Sequence, residues 1–420
     1  MMSHSLIKKK YDVAIVGGGP AGLSAAIELK LSGVNEVVVL ERNSQAGGNP
    51  RHCGHSPFGM REFKRIYYGP KYAKKLVDEA IESGVKILLN TSVISFEKGG
   101  LLTLSTEQGV SQIQAKRVVL STGIREKPRS ARLISGQRPL GIMTAGALQS
   151  LVYLSDGKPF EKPVIIGSEL VSFSAIATCR HANIKPVAMI EENSRPTAWS
   201  LLRLYPYIQG ISFLKNTQLL EIHGKEVVTG VSILTDKGEK KHIDCDGVIF
   251  TGQFVPEASL VRMNHLMIDQ YSNGPIVDQF NRCSDRDYFA IGNVLRPVET
   301  AGWCWQEGVD TAKSVLKSLD NSLEDIKQIS ISVQSPVIKY CVPQKISVQS
   351  RMKEIQLQLR FTEPAKGRII IYTKNKELLS KQVNGLPERR ILIFLSREIT
   401  ETMALAGENL FIRFQKEGDK

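Results

Sequence analysis

Three glycines, Gly17, Gly19 and Gly22, stand in the spacing Gly-x-Gly-x-x-Gly, with Pro20 and Ala21 before the last of them. A loop of this kind can cradle phosphates. Gly17 permits a tight turn, Gly19 lets the backbone approach a pyrophosphate, and Gly22 lets the following helix pack close to the preceding strand. Glu41 follows nineteen residues after Gly22, and its carboxylate can accept hydrogen bonds from ribose hydroxyls. A second reactive stretch is Gly47-Gly48-Asn49-Pro50-Arg51-His52-Cys53-Gly54-His55. Its histidines can handle protons, and Cys53 can act as a thiolate. Cys53 and His55 are the candidate catalytic residues, with packing and hydrogen bonding around a cofactor as the alternative for all three side chains. As metal ligands they lack a fourth member, so no metal is assigned. His181, His223, His242 and His265 show no partner pattern and read as structural or surface groups.

The elements around the first loop fit its chemistry. Tyr11 to Val16 reads as a buried strand, Leu23, Ala26, Ile27 and Leu29 as a helix face, and Glu36 to Leu40 as a second strand ending at Glu41. The strand, glycine loop, helix, strand and acid make a complete dinucleotide-binding unit; the alternative is a glycine-rich turn without a ligand. A second unit starts with the strand Val164-Ile165-Ile166 and continues Gly167-Ser168-Glu169-Leu170-Val171-Ser172. Only its first glycine remains. Glu169 stands where a pyrophosphate would approach, and its charge would repel the phosphates. Pro186 to Ile190 leads to Glu191 and Glu192, acids that suit an NAD ribose and oppose the phosphate of NADP. The second unit is therefore expected to keep its fold and bind NAD poorly. The glycine motif does not separate FAD from NAD. Gly47-Gly48 after Glu41 resembles the extended FAD version of this fold. The strand Val118 to Leu120 followed by Ser121-Thr122-Gly123 resembles the Ala-Thr-Gly element that closes the FAD domain of two-dinucleotide flavoproteins, a resemblance that implies FAD in the first unit.

These motifs together resemble the two-dinucleotide-binding-domain flavoproteins, the pyridine nucleotide-disulfide oxidoreductase-like group that includes thioredoxin reductase and glutathione reductase. The resemblance covers about residues 10 to 317. Tyr288-Phe289-Ala290-Ile291-Gly292-Asn293 is similar to the segment whose aspartate binds the ribityl chain, with Asn293 in its place. Thr300 to Ala312, with Glu307-Gly308, resembles the helix whose amino end faces the flavin pyrimidine. Phe250-Thr251-Gly252 with Pro256 resembles the return to the FAD domain. The segment from Gly47 to His55, followed by Phe58-Gly59, resembles bacterial flavoproteins associated with glycerol 3-phosphate dehydrogenases. It is also similar to the flavoprotein subunits of opine oxidase, hydroxyproline dehydrogenase and hydrogen cyanide synthase. The resemblance implies cofactor contacts at Gly17, Gly19, Pro20, Ala21, Gly22, Glu41, Arg42, Gly48, Asn49, His52, Val93, Thr122, Gly123, Gly292, Asn293, Thr300 and Ala301.

The fold expected is α/β, with two Rossmann-like dinucleotide-binding domains and a small antiparallel β domain at the carboxyl end. Residues 1–126 and 253–318 make the FAD domain, 127–252 the inserted NAD-type domain, 319–335 a polar linker and 336–420 the β domain, read from alternating runs such as Ile355, Leu357, Leu359 and Phe361. The function implied is the flavoprotein subunit of a dye-linked dehydrogenase oxidising a small amine, an imino acid or a glycerol 3-phosphate-like compound. A partner dehydrogenase subunit or iron–sulfur protein would complete it. The alternatives are a stand-alone NADH-dependent flavin reductase and a structural subunit that only holds FAD.

Composition removes several classes. Apolar residues at 42% and charged residues at 23% fit a globular chain. No run reaches the eighteen or so apolar residues of a membrane span, and Met1 to Lys10 carries no apolar signal segment. The six cysteines, Cys53, Cys179, Cys245, Cys283, Cys304 and Cys341, form no Cys-x-x-Cys pair. Disulfide-reductase chemistry and an internal iron–sulfur cluster are excluded with it, and a cytoplasmic location is expected. The net charge of +13 comes without basic clusters interleaved with aromatics, so nucleic acid is not the expected partner.

Overall fold

The structure is a computed structural model describing residues 9–198, 204–323, 328–347, 354–387, 389–406 and 408–418. The reading of the amino terminus as lacking a signal segment falls mostly on residues outside this set. The chain forms two compact units. One comprises Met1–Gly48, Ala73–Ile124 and Pro256–Lys420, and the other Asn49–Tyr72 and Arg125–Val255.

The first unit is built on a seven-stranded sheet. Strand β1 (Lys10–Val16) lies at its centre, pairing in parallel with β2 (Val37–Leu40) on one side and with Gly109–Leu120 on the other. Val13, Ala14 and Ile15 are wholly buried, as expected for a parallel strand covered on both faces. Helix α1 (Pro20–Leu31) opens with Pro20 in its first turn, where the missing N–H costs nothing. It buries Leu23, Ala25, Ala26, Ile27 and Leu29. Its sequence is therefore apolar on more than one face, since it packs against both the sheet and the helix Ala301–Leu319. Ser24 fixes that second contact by donating from Oγ to the Trp305 carbonyl at 2.8 Å.

The carboxyl-terminal part of the same unit has two β sheets. Its five-stranded sheet runs in the order Lys345–Ser347, Gln328–Val333, Leu410–Lys416, Ala365–Tyr372 and Glu377–Gly385. The other sheet contains Ile338–Val342, Glu354–Phe361 and Arg390–Ser396. Most pairings are antiparallel, but Gln328–Val333 runs parallel to Leu410–Lys416. The stretch expected as a linker thus contains a strand. Its serines alternate with Ile329, Ile331 and Val333, and that alternation places one face against the sheet core. A helix, Arg397–Ala406, also interrupts the β region. Tyr340 and Val342 pack into the same core as β1 and β2, so this β region is continuous with the dinucleotide fold.

The second unit holds a parallel five-stranded sheet. Its order is Ser212–Leu214, Ala188–Ile190, Pro163–Ile166, Gly247–Phe250 and Ile142–Thr144. A four-stranded sheet built on Gln218–His223, Gly230–Leu234 and Lys240–Asp244 accompanies it. The helix Leu170–His181 follows the central strand as α1 follows β1. The segment from Asn49 to Tyr72, with its reactive side chains, belongs to this unit.

Candidate functional site

The first glycine loop connects β1 to α1. A side chain on Gly17 would stand 2.5 Å from the Ser121 carbonyl oxygen, and one on Gly22 would stand 2.1 Å from the Gly17 carbonyl oxygen. Both positions therefore hold the loop down. Gly19 differs, because the nearest atom to a Cβ there is the Gly48 Cα at 3.8 Å. The open side of the loop is the side a pyrophosphate needs, beside the amino end of a twelve-residue helix. Ser121 Oγ donates to the carbonyls of Val16 and Gly17 and ties the loop to the next strand. Glu41 is 5% exposed at the end of β2. Its carboxylate accepts from the Gly18 N–H at 2.9 Å and from both the N–H and side chain of Asn43. These residues fit a dinucleotide: a cradle open at Gly19, a helix amino terminus, and an acid at the ribose position.

The other cofactor candidates of this unit border the same loop or lie on the same sheet. Pro20 and Ala21 form the first turn of α1, and a Cβ on Gly292 would come within 3.0 Å of Ala21 Cβ. Gly48 lies against Gly19. Arg42 is exposed after β2, and Val93 sits in the strand Ser92–Phe96 against the core. Thr122 donates its hydroxyl to the Glu257 carbonyl at 2.7 Å, and the Gly123 carbonyl accepts from the Glu257 N–H at 2.9 Å. Asn293 accepts at Oδ1 from the Glu299 N–H at 2.7 Å and donates from Nδ2 to the Glu299 carbonyl at 3.1 Å. An aspartate could accept there but not donate, so the amide has a reason of its own in this chain. Thr300 and Ala301 open the nineteen-residue helix.

A group of charges that sequence reasoning missed surrounds this last segment. Glu307 accepts from the Gly292 N–H and from Arg296 Nη2 at 2.6 Å. Glu299 accepts from Arg360 at 2.9 Å and from Gln358, and lies 3.5 Å from Arg390. The Arg390 guanidinium stacks 3.4 Å above the Trp303 ring. Burial works against the charge on Arg296, yet the adjacent Glu307 and Glu299 carboxylates hold its pKa above the ordinary value. Arg296 and Glu307 are joined across a loop, and Arg360 comes from a distant strand. No local spacing in the sequence marks either pairing.

The second unit repeats the wiring of the first but not its open loop. Ser168 occupies the position of Gly18 and Glu191 that of Glu41, at the same separation of 23 residues. Glu191 accepts from Ser168 Oγ and from both donors of Asn193, as Glu41 does from Gly18 and Asn43. Ser172, wholly buried, replaces the third glycine and bonds Thr251 Oγ1 at 2.6 Å. Glu169 precedes the Leu170–His181 helix and accepts from the Gln253 N–H at 3.1 Å. Arg132, which donates to the carbonyls of Lys127, Thr251 and Gly252, lies in the field of Glu169. A carboxylate thus sits where the first unit has open space.

Asn49 and His52 form a short 3-10 turn, with Cys53 and His55 just beyond it, all in the second unit. Cys53 donates from Sγ to the Asn49 carbonyl at 3.3 Å, and burial pushes its pKa to about 12. It is a thiol at neutral pH, not a thiolate. Burial and the charge on Arg51 hold His52 at about 4, and burial lowers His55 as well. His52 Nδ1 is buried with no hydrogen-bond partner among the described residues. Among those residues no group of three or more His, Cys, Asp or Glu could hold a metal ion, and no helix is long and apolar enough to cross a membrane.

The profile of the family described as pyridine nucleotide-disulphide oxidoreductase matches residues 11–313. An opine oxidase subunit of Agrobacterium tumefaciens (strain Ach5) is 24% identical over 362 residues, 78% of this chain and 68% of that protein. An NADH dehydrogenase of Bacillus subtilis (strain 168) is 26% identical over 296 residues, 68% of this chain and 56% of its own length. Among solved structures, thioredoxin reductase of T. acidophilum superposes with a TM-score of 0.60 at 24% identity, covering 76% of this chain and 100% of that one. The structural likeness carries the α/β flavoprotein fold. The β region after residue 313 lies outside the family profile.

Proposed function

The chain belongs to the pyridine nucleotide-disulphide oxidoreductase family, and from that premise we propose that it is the FAD-carrying subunit of a dehydrogenase acting on a small amine, an imino acid or a glycerol 3-phosphate-like compound. It is an FAD-dependent oxidoreductase. The observation carrying the finer reading is the contrast at one position of two matched loops. Gly19 leaves its loop open, whereas Glu169 fills the corresponding place with a carboxylate bonded to Gln253. A nicotinamide dinucleotide has a poor seat in the second unit, so the electrons are expected from another donor. The reading is also supported by the name of a relative, an opine oxidase subunit, and by the absence of a Cys-x-x-Cys pair.

Bound FAD supplies the redox chemistry, and the residues of the chain supply place and field. Gly17, Gly19, Pro20, Ala21 and Gly22 would receive the pyrophosphate, with Glu41, Arg42, Gly48 and Val93 at the adenosine end. Thr122, Gly123, Gly292, Asn293, Thr300 and Ala301 would hold the remainder. Burial and the charge on Arg51 make His52, at about 4, a poor proton acceptor, burial lowers His55 as well, and Cys53 contributes at most a weak thiol donor. We propose a cytoplasmic location, where six unpaired cysteines remain reduced.

Rapid mixing of the FAD-loaded chain with candidate donors tests the reading. An amine, an imino acid or glycerol 3-phosphate should bleach the flavin faster than NADH does, in the presence of any partner subunit encoded nearby. Reduction within milliseconds at micromolar NADH would establish the NADH-dependent reductase instead.

A further inference from the structure

The segment from Gly292 to Ala301 adjoins the first glycine loop through Gly292 and Ala21, and it leads into the amino end of the long helix. Two carboxylates hold it. Glu307 binds the Gly292 N–H and Arg296, and Glu299 is clasped through its backbone by Asn293 and through its side chain by Arg360 and Arg390. Arg360 also donates to the Val298 carbonyl at 3.1 Å, and Tyr340 donates to that of Pro297 at 2.6 Å. Arg360, Arg390 and Tyr340 all come from the carboxyl-terminal β region. Glu299 and Arg360 are 9% exposed or less. Arg296 Nε and Nη1 and Arg360 Nε are buried without a hydrogen-bond partner among the described residues. Charges in so dry a place act over several ångströms with little screening. The purpose of such an arrangement is poorly explained by stability, because buried ion pairs add little over apolar packing.

We infer that Arg296, Glu299, Arg360 and the half-buried Arg390 are positioning residues whose charges set the reduction potential of the flavin held by the first unit. The carboxyl-terminal β region thereby tunes a cofactor whose binding loops lie elsewhere in the chain. The inference rests on the proposal that FAD is held at the loop open at Gly19 with its flavin end toward Thr300 and Ala301. Reduction adds negative charge to the flavin. A buried guanidinium nearby favours the reduced form and raises the potential, and a buried carboxylate lowers it.

The test is the midpoint potential of the FAD-loaded chain, measured by dye-equilibrated reduction. Arg360→Met should lower it and Glu299→Gln should raise it. Each change should alter the oxidised-to-reduced equilibrium by about tenfold, which is about 30 mV for a two-electron couple. Arg390→Met removes a more exposed charge and should lower the potential by less, which keeps the test available if Arg360→Met does not fold. Opposite signs for the guanidinium and carboxylate changes identify a charge effect, since loosening of the segment would move all variants one way. Potentials that shift in one direction, or not at all, in a chain that takes up FAD normally overturn this inference alone. A wild-type chain that takes up no FAD overturns it together with the reading on which it rests.

Discussion

At His52 the structure holds a neutral imidazole in a place where its charged form is disfavoured, with a pKa of about 4 against an ordinary 6.5. The unfolded chain therefore binds a proton at this residue before the folded chain does. Stability from this group is complete above about pH 6.5 and drains away as pH falls through 4, by at most about 3 kcal/mol. His52→Gln should flatten the acid side of the stability profile, measured by urea unfolding at a series of pH values. An unchanged profile in the variant would show that His52 does not carry the effect. Residues of this kind are only half legible in the sequence. The spacing of Gly17, Gly19, Gly22 and Glu41 announces a dinucleotide loop because each member answers a local steric or hydrogen-bonding need. The engagement of Asn293 with the backbone of Glu299 depends on how a loop turns back on itself, which spacing does not encode.

The Leu170–His181 helix shows what one side chain does to a whole element. Its amino end carries the same attraction for anions as that of α1, but the Glu169 carboxylate already lies there and takes the Gln253 N–H. Glu169→Gly should remove both the obstruction and the repulsion. Affinity for ADP-ribose, read by titration calorimetry, should rise about tenfold or more, corresponding to about 1.4 kcal/mol. Equal binding by wild type and variant would place the barrier elsewhere. The strands and helices of both dinucleotide units are legible because apolar runs end at turn residues followed by helical periodicity. The strand Gln328–Val333 reads as linker in the sequence because its polar face outweighs three alternating apolar residues when no partner strand is in view. The helix Arg397–Ala406 escapes a sequence reading because it lies between β runs, and its Ile399 and Met403 pack into the core of that region.

For the whole molecule, the net charge of +13 bears on association more than on folding. On the proposed reading, a flavoprotein without an onward redox pair would pass its electrons to a second protein, and its net positive charge would favour an acidic one. Turnover should appear when the chain is combined with its partner subunit and fall steadily as salt is raised, because attraction across solvent weakens as the Debye length shortens. Steady-state rates over a salt series will show it. Fast turnover by the isolated chain with a physiological donor and acceptor, indifferent to salt, would remove the need for a partner. The five-stranded sheet described above adds a constraint on manufacture. Its middle strand, Leu410–Lys416, is the last of the five to be synthesised, and it separates Gln328–Val333 from Ala365–Tyr372. Until the ribosome delivers it, those two strands each expose an unpaired edge open to a neighbouring nascent chain. The hazard for this protein therefore lies in the interval before Leu410–Lys416 adds between them, and it ends when that strand closes both edges.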